Sequence, residues 1–154
     1  MANIESQKYR ASVAGMILKD YKQILMVQNT SFSPDEWDFP KGGMNPGEDE
    51  EDTLKREIRE ELGDKIQFSL IRQSSCNIIY SWSKEKQIKE GMRGQARISF
   101  WLDYNGGEIE IDPEEIRDYK WVNITELEHV LKNSNWPLEV VENLIFDLNK
   151  VLNK

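Results

Sequence analysis

The stretch Gly42–Asp64, GGMNPGEDEEDTLKREIREELGD, constrains this chain more than any other. A Gly/Asn/Pro turn ends at Glu48, and a helix dense in carboxylates follows. Leu54, Ile58 and Leu62 fall at i, i+4 and i+8, an apolar stripe that fixes the helix to a core. Glu57, Glu60 and Glu61 stand at i, i+3 and i+4 and project from one other face. Like charges at that spacing repel and cost helix stability, so a counter-charge is expected. A hard divalent cation, which prefers oxygen ligands, would supply it. A solvated acidic face is the alternative reading. Asp49 is placed to cap the helix, with Asp52 in the capping-box position, and the acidic first turn suits the helix dipole. Gly63 fits the C-terminal end. Gly42, Gly43 and Gly47 permit backbone angles that other residues resist, Pro46 stiffens the turn, and Gly42 and Gly43 let backbone approach the site closely.

Charge and cysteine content narrow the function classes. Net charge is −8, from 20 Lys+Arg against 28 Asp+Glu, which opposes nucleic-acid binding driven by bulk charge. The balance reverses locally: Lys84, Lys86, Lys89, Arg93 and Arg97 face only Glu85 and Glu90 in that stretch. An acidic site beside a basic loop suits a polyphosphate substrate. The one cysteine, Cys76, excludes an internal disulfide framework and reads as a buried structural thiol in a reducing cytoplasm. No apolar run is long enough to cross a bilayer, and the N-terminal MANIESQKYR lacks a signal-peptide core. No membrane association and no obligate protein partner are expected.

With 154 residues and no linker or repeat, the chain is expected to be one domain, 1–154. Arg10–Leu18 and Gln23–Gln28 read as a hairpin around Lys19–Lys22, though without the favoured Asn-Gly turn. Trp37–Phe39 reads as extended. Ile66–Trp82 is strand-rich, Lys84–Gly94 reads as a loop, and Gln95–Tyr104 as a strand. Asn105–Gly107 turn the chain, Glu108–Ile111 extend again, and Arg117–Val122 form a strand. Thr125 and Glu128 read as a capping box opening a short helix. His129, the lone histidine, falls on it with a surface or capping role. Trp136 and Pro137 begin a last helix whose stripe is Leu138, Val141, Leu144, Ile145 and Leu148. Strands interrupted by one helix, with helices at the end, give an α/β (α+β) fold with a mixed sheet between helical layers.

The stretch Gly42–Asp64 resembles the Nudix box, G-x5-E-x7-R-E-U-x-E-E-x-G-U, U being bulky and apolar. Gly42, Glu48, Arg56, Glu57, Ile58, Glu60, Glu61 and Gly63 fall in register, and only Asp64 departs. The resemblance implies a Nudix α/β/α sandwich and a hydrolase of nucleoside polyphosphates that uses Mg²⁺ or Mn²⁺. It implies Glu57, Glu60 and Glu61 as metal ligands, with Glu57 as ligand or general base and the Gly42 carbonyl as a further ligand. Arg56 and Glu48 orient the site, through an Arg56–Glu48 fork or an Arg56–Glu60 pair. Asp112, Glu114 and Glu115 are available as a later carboxylate, and Glu115 is favoured by its setting EIRDYKWV. Bound divalent metal would neutralise phosphate charge and activate the attacking water.

The neighbouring WDFPKGGMNPGE is similar to the corresponding segment of bacterial RNA pyrophosphohydrolases and asymmetrical dinucleoside tetraphosphate hydrolases. Tyr9-Arg10 and Gly94-Gln95 match as well. Lys41 and Asp38 depart from that pattern, and Phe-Pro-Lys-Gly also resembles mRNA-decapping Nudix enzymes. The resemblance implies an RNA 5′ end or a dinucleotide as substrate, with Arg10, Lys41, Tyr80, Lys84, Lys86, Arg93 and Gln95 in contact with it. Tyr80 and Trp82 read equally as sheet packing or base stacking, and the lysines of that stretch as solvated charge. The alternatives are a dNTP or ADP-ribose pyrophosphatase and a non-catalytic nucleotide- or RNA-sensing module; such a module would have lost a box glutamate, and all three are present.

Overall fold

The computed structural model describes residues 8–153. Strand β1 (Tyr9–Lys19) is its centre, with Val13 to Leu18 buried on both faces. Asp20 and Tyr21 both take positive φ, 55° and 54°, and return the chain as β2 (Gln23–Asn29). The expected hairpin therefore forms, with left-handed Asp and Tyr where Asn-Gly would be easier. Strand β6 (Gly94–Gly106) runs parallel to β1 from the Tyr9–Gly94 pair to Leu18–Asp103. Strands β4 (Gln67–Gln73) and β5 (Ile78–Ser81) pair antiparallel with β6, and β7 (Ile116–Asn123) with β2. The order β4-β6-β1-β2-β7 makes a mixed sheet.

Alternation along β1 assigns its two faces. Val13 and Ile17, with Leu25 and Val27 of β2, pack on Leu54, Ile58 and Leu62 of helix α1 (Glu50–Leu62). Ala14, Met16 and Leu18 pack with Leu127 and Leu131 of α3 (Leu127–Asn133) and Val141, Leu144 and Leu148 of α4 (Leu138–Leu152). The result is the expected α/β/α sandwich. Each fully buried Leu or Ile of the α1 stripe contributes about 1.5–3 kcal/mol. One polar contact ties α4 to the sheet. Asp147, 1% exposed, accepts from Ser74 Oγ (2.6 Å), Ser75 Oγ (2.9 Å), Trp101 Nε1 (2.7 Å) and Arg72 Nη2 (3.0 Å).

Several local expectations are corrected. Lys84–Glu90 is not loop but helix α2, started by Ser83, whose Oγ accepts from Lys86 N, and ended by a left-handed Gly91. It buries no residue, so no apolar stripe announces it. Residues 108–111 are not a strand. Glu110 N and Asp112 N instead donate to Leu62 O (2.7 Å) and Glu61 O (3.2 Å), satisfying the open C-terminal carbonyls of α1. The Thr125–Glu128 box does not form. Asn123 Oδ1 accepts from Thr125 N and caps a 3₁₀ turn, Ile124–Glu126, that leads into α3. Lys41–Gly43, expected within a turn, is a short strand β3 paired with Ser12–Ala14 of β1. Asp64 is exposed, and Ile66, 7% exposed, supplies the apolar anchor after α1. Cys76 is buried, and His129 is an exposed residue of α3 within 3.1 Å of Asn133 Nδ2. No helix among the described residues is long and apolar enough to cross a membrane.

Candidate active site

Helix α1 begins with the expected capping box. Asp49 accepts from Asp52 N, and Asp52 accepts from Asp49 N. It ends at Gly63 (φ 91°), whose N–H donates to Arg59 O. Between these ends, Arg56 organises the site. Its Nε donates to Glu48 Oε2 (2.7 Å), Nη2 to Glu48 Oε1 (3.0 Å) and to Gly43 O (2.9 Å), and Nη1 to Glu57 Oε1 (2.9 Å) and Glu60 Oε1 (3.1 Å). The fork to Glu48 and the i,i+4 pair with Glu60, posed above as alternatives, are both made. Glu48 also accepts from Asn45 N and Thr53 Oγ1. Its bonds to Arg56, then to Asn45, hold its carboxyl down at about 2.

The glycines of β3 are there for space. Neither Gly42 nor Gly43 takes a positive φ; in this turn only Gly47 does, at 84°. A Cβ on Gly43 would fall 2.4 Å from Arg10 Nη2, and one on Gly42 would fall 1.9 Å from Glu57 Cδ. Arg10 and Glu57 thus lie against backbone that only glycine leaves open, which corrects the expectation of special angles at 42 and 43.

The carboxylates form one electrostatic group. Glu61 is 5% exposed and accepts from Lys41 N at 3.2 Å. Burial pushes its pKa up to about 8; Lys41 opposes the shift, while Glu57 and Glu115 add to it. Glu57 is also raised, by burial first and then by Glu60, with Arg56 opposing and Glu115 adding. Glu115 is raised by desolvation and then by Glu60, Asp112 and Glu114. It ends a turn in which Asp112 N is bonded to Glu61 O and Glu115 N to Asp112 O. The C-terminal end of α1 therefore carries the turn that brings Glu115 to the box glutamates. Among the described residues, no three His, Cys, Asp or Glu side chains stand as a ready-made metal cage. Arg56 draws Glu57 and Glu60 to itself, while Glu61 turns toward β3.

Of the expected substrate residues, Tyr80, Gln95 and Arg10 form one row across β5, β6 and β1. Tyr80 is 39% exposed, so it is not a core residue, and its hydroxyl donates to Gln95 Oε1 at 2.5 Å. Tyr80 and Lys41 line the same cleft, of about 540 Å³, on the α3/α4 face. Lys84 and Lys86 stand exposed on α2, and Lys86 Nζ lies 4.5 Å from the Trp82 ring centre. Arg93 is half-buried beside β6, with its N–H on Lys8 O. No ion pair among the described residues joins Lys84 or Lys86 to the glutamates. Arg97, counted above with the basic loop, is instead a buried residue of β6 paired with Asp38. Its setting between Ala96 and Ile98 in an apolar strand was the available signal, because a buried Arg requires a partner. Thr53, which holds Glu48, carried no signal.

A three-layer α/β/α fold with this box on its first long helix defines a class. The NUDIX domain profile matches residues 8–144. The chain belongs to the Nudix family and is a hydrolase acting on phosphoanhydride bonds. It is 31% identical over 134 residues to an RNA pyrophosphohydrolase of Nitratiruptor sp., covering 82% of this chain and 85% of that one. It is 30% identical over 129 residues to an RNA pyrophosphohydrolase of Shewanella denitrificans, covering 78% and 74%. A crystal structure of a C. elegans Ap4A hydrolase binary complex superposes with a TM-score of 0.65 at 18% identity, covering 92% of this chain and 98% of that one, a likeness of fold.

Proposed function

We propose that residues 1–154 are one domain that removes pyrophosphate from the 5′-triphosphate end of RNA, the second reading being asymmetrical cleavage of diadenosine tetraphosphate. Water attacks a phosphorus of the anhydride; the new P–O bond forms, the bridging P–O bond breaks, and RNA 5′-monophosphate and pyrophosphate leave. The observation that carries this reading is the group of Glu57, Glu60, Glu61 and Glu115, joined through the Lys41 N–Glu61 bond to a cleft that Lys41 and Tyr80 line. The RNA pyrophosphohydrolases at about 30% identity favour an RNA end over a free mononucleotide.

The donor set fits a hard divalent cation. Glu57, Glu61 and Glu115 all have raised pKa values, by burial first and then by the neighbouring carboxylates, so a positive charge placed among them would be stabilised. Oxygen-only donors of that kind suit Mg²⁺ or Mn²⁺. Glu57, Glu60, Glu61 and Glu115, with the Gly42 carbonyl, would hold it, and a bound ion would neutralise phosphate charge and acidify water. Glu57 or Glu115 takes the proton from the attacking water. Arg56 positions Glu57 and Glu60. Arg10, Lys84, Lys86 and Arg93 meet phosphates, and Gln95 holds Tyr80 for stacking on a base. The chain works in the cytoplasm, where its single thiol stays reduced.

The test is release of pyrophosphate from triphosphorylated RNA, set against diadenosine tetraphosphate at matched concentration with Mg²⁺ or Mn²⁺. Turnover of RNA that a chelator abolishes, and that Glu60→Gln or Glu61→Gln lowers by orders of magnitude, supports the proposal. Turnover of dNTPs or ADP-ribose alone would refute the RNA assignment.

A further inference from the structure

Strand β7 is an edge strand with one irregularity, and it falls beside Glu115. The pairs of β2 and β7 run from Gln23–Asn123 to Gln28–Asp118, and the next pair is Asn29–Ile116. Arg117 is therefore the extra residue of a β-bulge, a device that re-aims a side chain. In an unbroken register Arg117 would stand opposite Asn29, and Glu115 opposite Ser31 rather than Thr30. Arg117 Nη2 donates to Thr30 O and to Phe32 O, each at 2.9 Å. Among the described residues its guanidinium makes no ion pair.

The loop that Arg117 grips follows β2 and forms one wall of the cleft. Phe32 lines that cleft, and Lys41 Nζ lies 5.9 Å from its ring centre. Gln28, 4% exposed, holds the second half of the loop, donating from Nε2 to Pro34 O (2.7 Å) and Glu36 O (3.2 Å). The first half is tied to the Glu115 turn: Thr30 N donates to Glu115 O (3.0 Å) and Thr30 Oγ1 to Glu114 O (3.1 Å). The turn itself is anchored by Glu115 N and Ile116 N, both on Asp112 O, and by the fully buried Ile116 side chain. With the two Arg117 bonds, four contacts join the cleft wall to the segment that carries Glu115. Arg117 and Thr30 are exposed. Bonds made there gain little beyond the entropy lost in ordering a long side chain, so fold stability alone does not account for the bulge. Placement of a proton-accepting carboxylate does, because its contribution depends on position to within about an ångström.

We infer that Arg117 is a positioning residue: from its bulge it locks the Phe32 loop to the Glu115 turn, so that the cleft wall and the Glu115 carboxylate keep one fixed separation. Arg117 acts through Glu115 on the chemical step and through Phe32 on the fit of the substrate. Thr30 is the second member of the lock, by its backbone N–H and its hydroxyl. The inference rests on the hydrolase reading proposed above and adds to it a residue outside the box.

A double-mutant cycle tests it, with kcat and KM measured on triphosphorylated RNA, or on diadenosine tetraphosphate if that alone is cleaved. Arg117→Met should lower kcat by about tenfold or more and raise KM. In a Glu115→Gln background the same change should lower kcat by less than about twofold, because the group it places has lost its function. Amide exchange at Thr30 and Glu115, followed by NMR, should be about tenfold faster in Arg117→Met. Thr30→Val, which loses the hydroxyl bond to Glu114 O, should lower kcat in the same way, and Thr30→Ser should restore it; this pair serves if Arg117→Met does not fold. Equal losses of kcat in the wild-type and Glu115→Gln backgrounds would overturn the inference, and so would wild-type kcat in Glu115→Gln. A lowered Tm with kcat and KM unchanged would make Arg117 a purely structural residue. No turnover of any substrate by the wild type would sink the hydrolase reading instead. Amide exchange would then decide the lock, and exchange unchanged in Arg117→Met would overturn it.

Discussion

The carboxyl carbon of Glu57 lies 1.9 Å from where a Cβ on Gly42 would stand. The side chain of one box residue occupies the space that the missing side chain of another leaves. Gly42 does not have a positive φ, so alanine there is free of backbone strain and acts only by displacing Glu57. Gly42→Ala should lower kcat by about a hundredfold, the scale of a misplaced catalytic group. Thermal unfolding should move little, because β3 is short and half-buried. Near-normal turnover would show that the Glu57 position is unimportant.

Arg56 should not tolerate lysine. Its five N–H groups each have an acceptor, on Glu48, Gly43, Glu57 and Glu60. An ammonium has three donors and cannot span that fan. Arg56→Lys should destabilise by about 1–3 kcal/mol in urea denaturation. It should also lower kcat more than Lys55→Ala, a change at an exposed neighbouring residue of the same helix.

Glu48 gives the acid limb of stability a specific shape. Its carboxyl titrates near 4.5 when unfolded and at about 2 when folded. Above pH 4.5 both states are ionised and its stabilising effect is complete. As pH falls from 4.5 to 2, the unfolded chain takes up the proton first and the effect is lost. Glu48→Gln removes this titration, so its stability should fall less steeply than wild type across that window. Parallel acid limbs for the two proteins would contradict the Arg56–Glu48 fork.

The sequence spelled out whatever depends on periodicity and short spacing. The α1 stripe, its Asp49 cap, the glutamate face and the hairpin at Asp20–Tyr21 are all local patterns. Helix α2 is not legible because it buries nothing, and the stretch 108–111 reads as a strand although Glu110 N and the following Asp112 N bond the end of α1, a partner far away in sequence. The same holds at the site. Glu115 could be named from its setting but not joined to the box without the Asp112–Glu61 bond. Asp38 stood out only as a departure from a pattern, because its partner Arg97 lies on another strand. Gly42 and Gly43 read in the sequence both as backbone freedom and as close approach; only the close approach holds, and the neighbours that require it, Glu57 and Arg10, come from elsewhere in the fold.

Asp147 offers a test of what holds α4 to the sheet. It interrupts an otherwise apolar face, is 1% exposed, and gathers donors from Arg72, Ser74, Ser75 and Trp101. Burial pushes its pKa up, but the bonds from Ser74, Trp101 and Ser75 and the charge of Arg72 outweigh it, and the net shift is downward. The ionised form is therefore the one the fold holds. Asp147→Ala would strand these donors, and removing one partner of a buried charged network costs about 3–5 kcal/mol. For a chain of this length that corresponds to a fall in Tm of roughly 10 °C. The Glu57–Glu61 face belongs to α1, across the sheet, so kcat well below the new Tm should stay close to wild type. An unchanged Tm would show that apolar contacts alone seat α4, and a large loss of kcat at low temperature would show that α4 controls the carboxylates through the sheet.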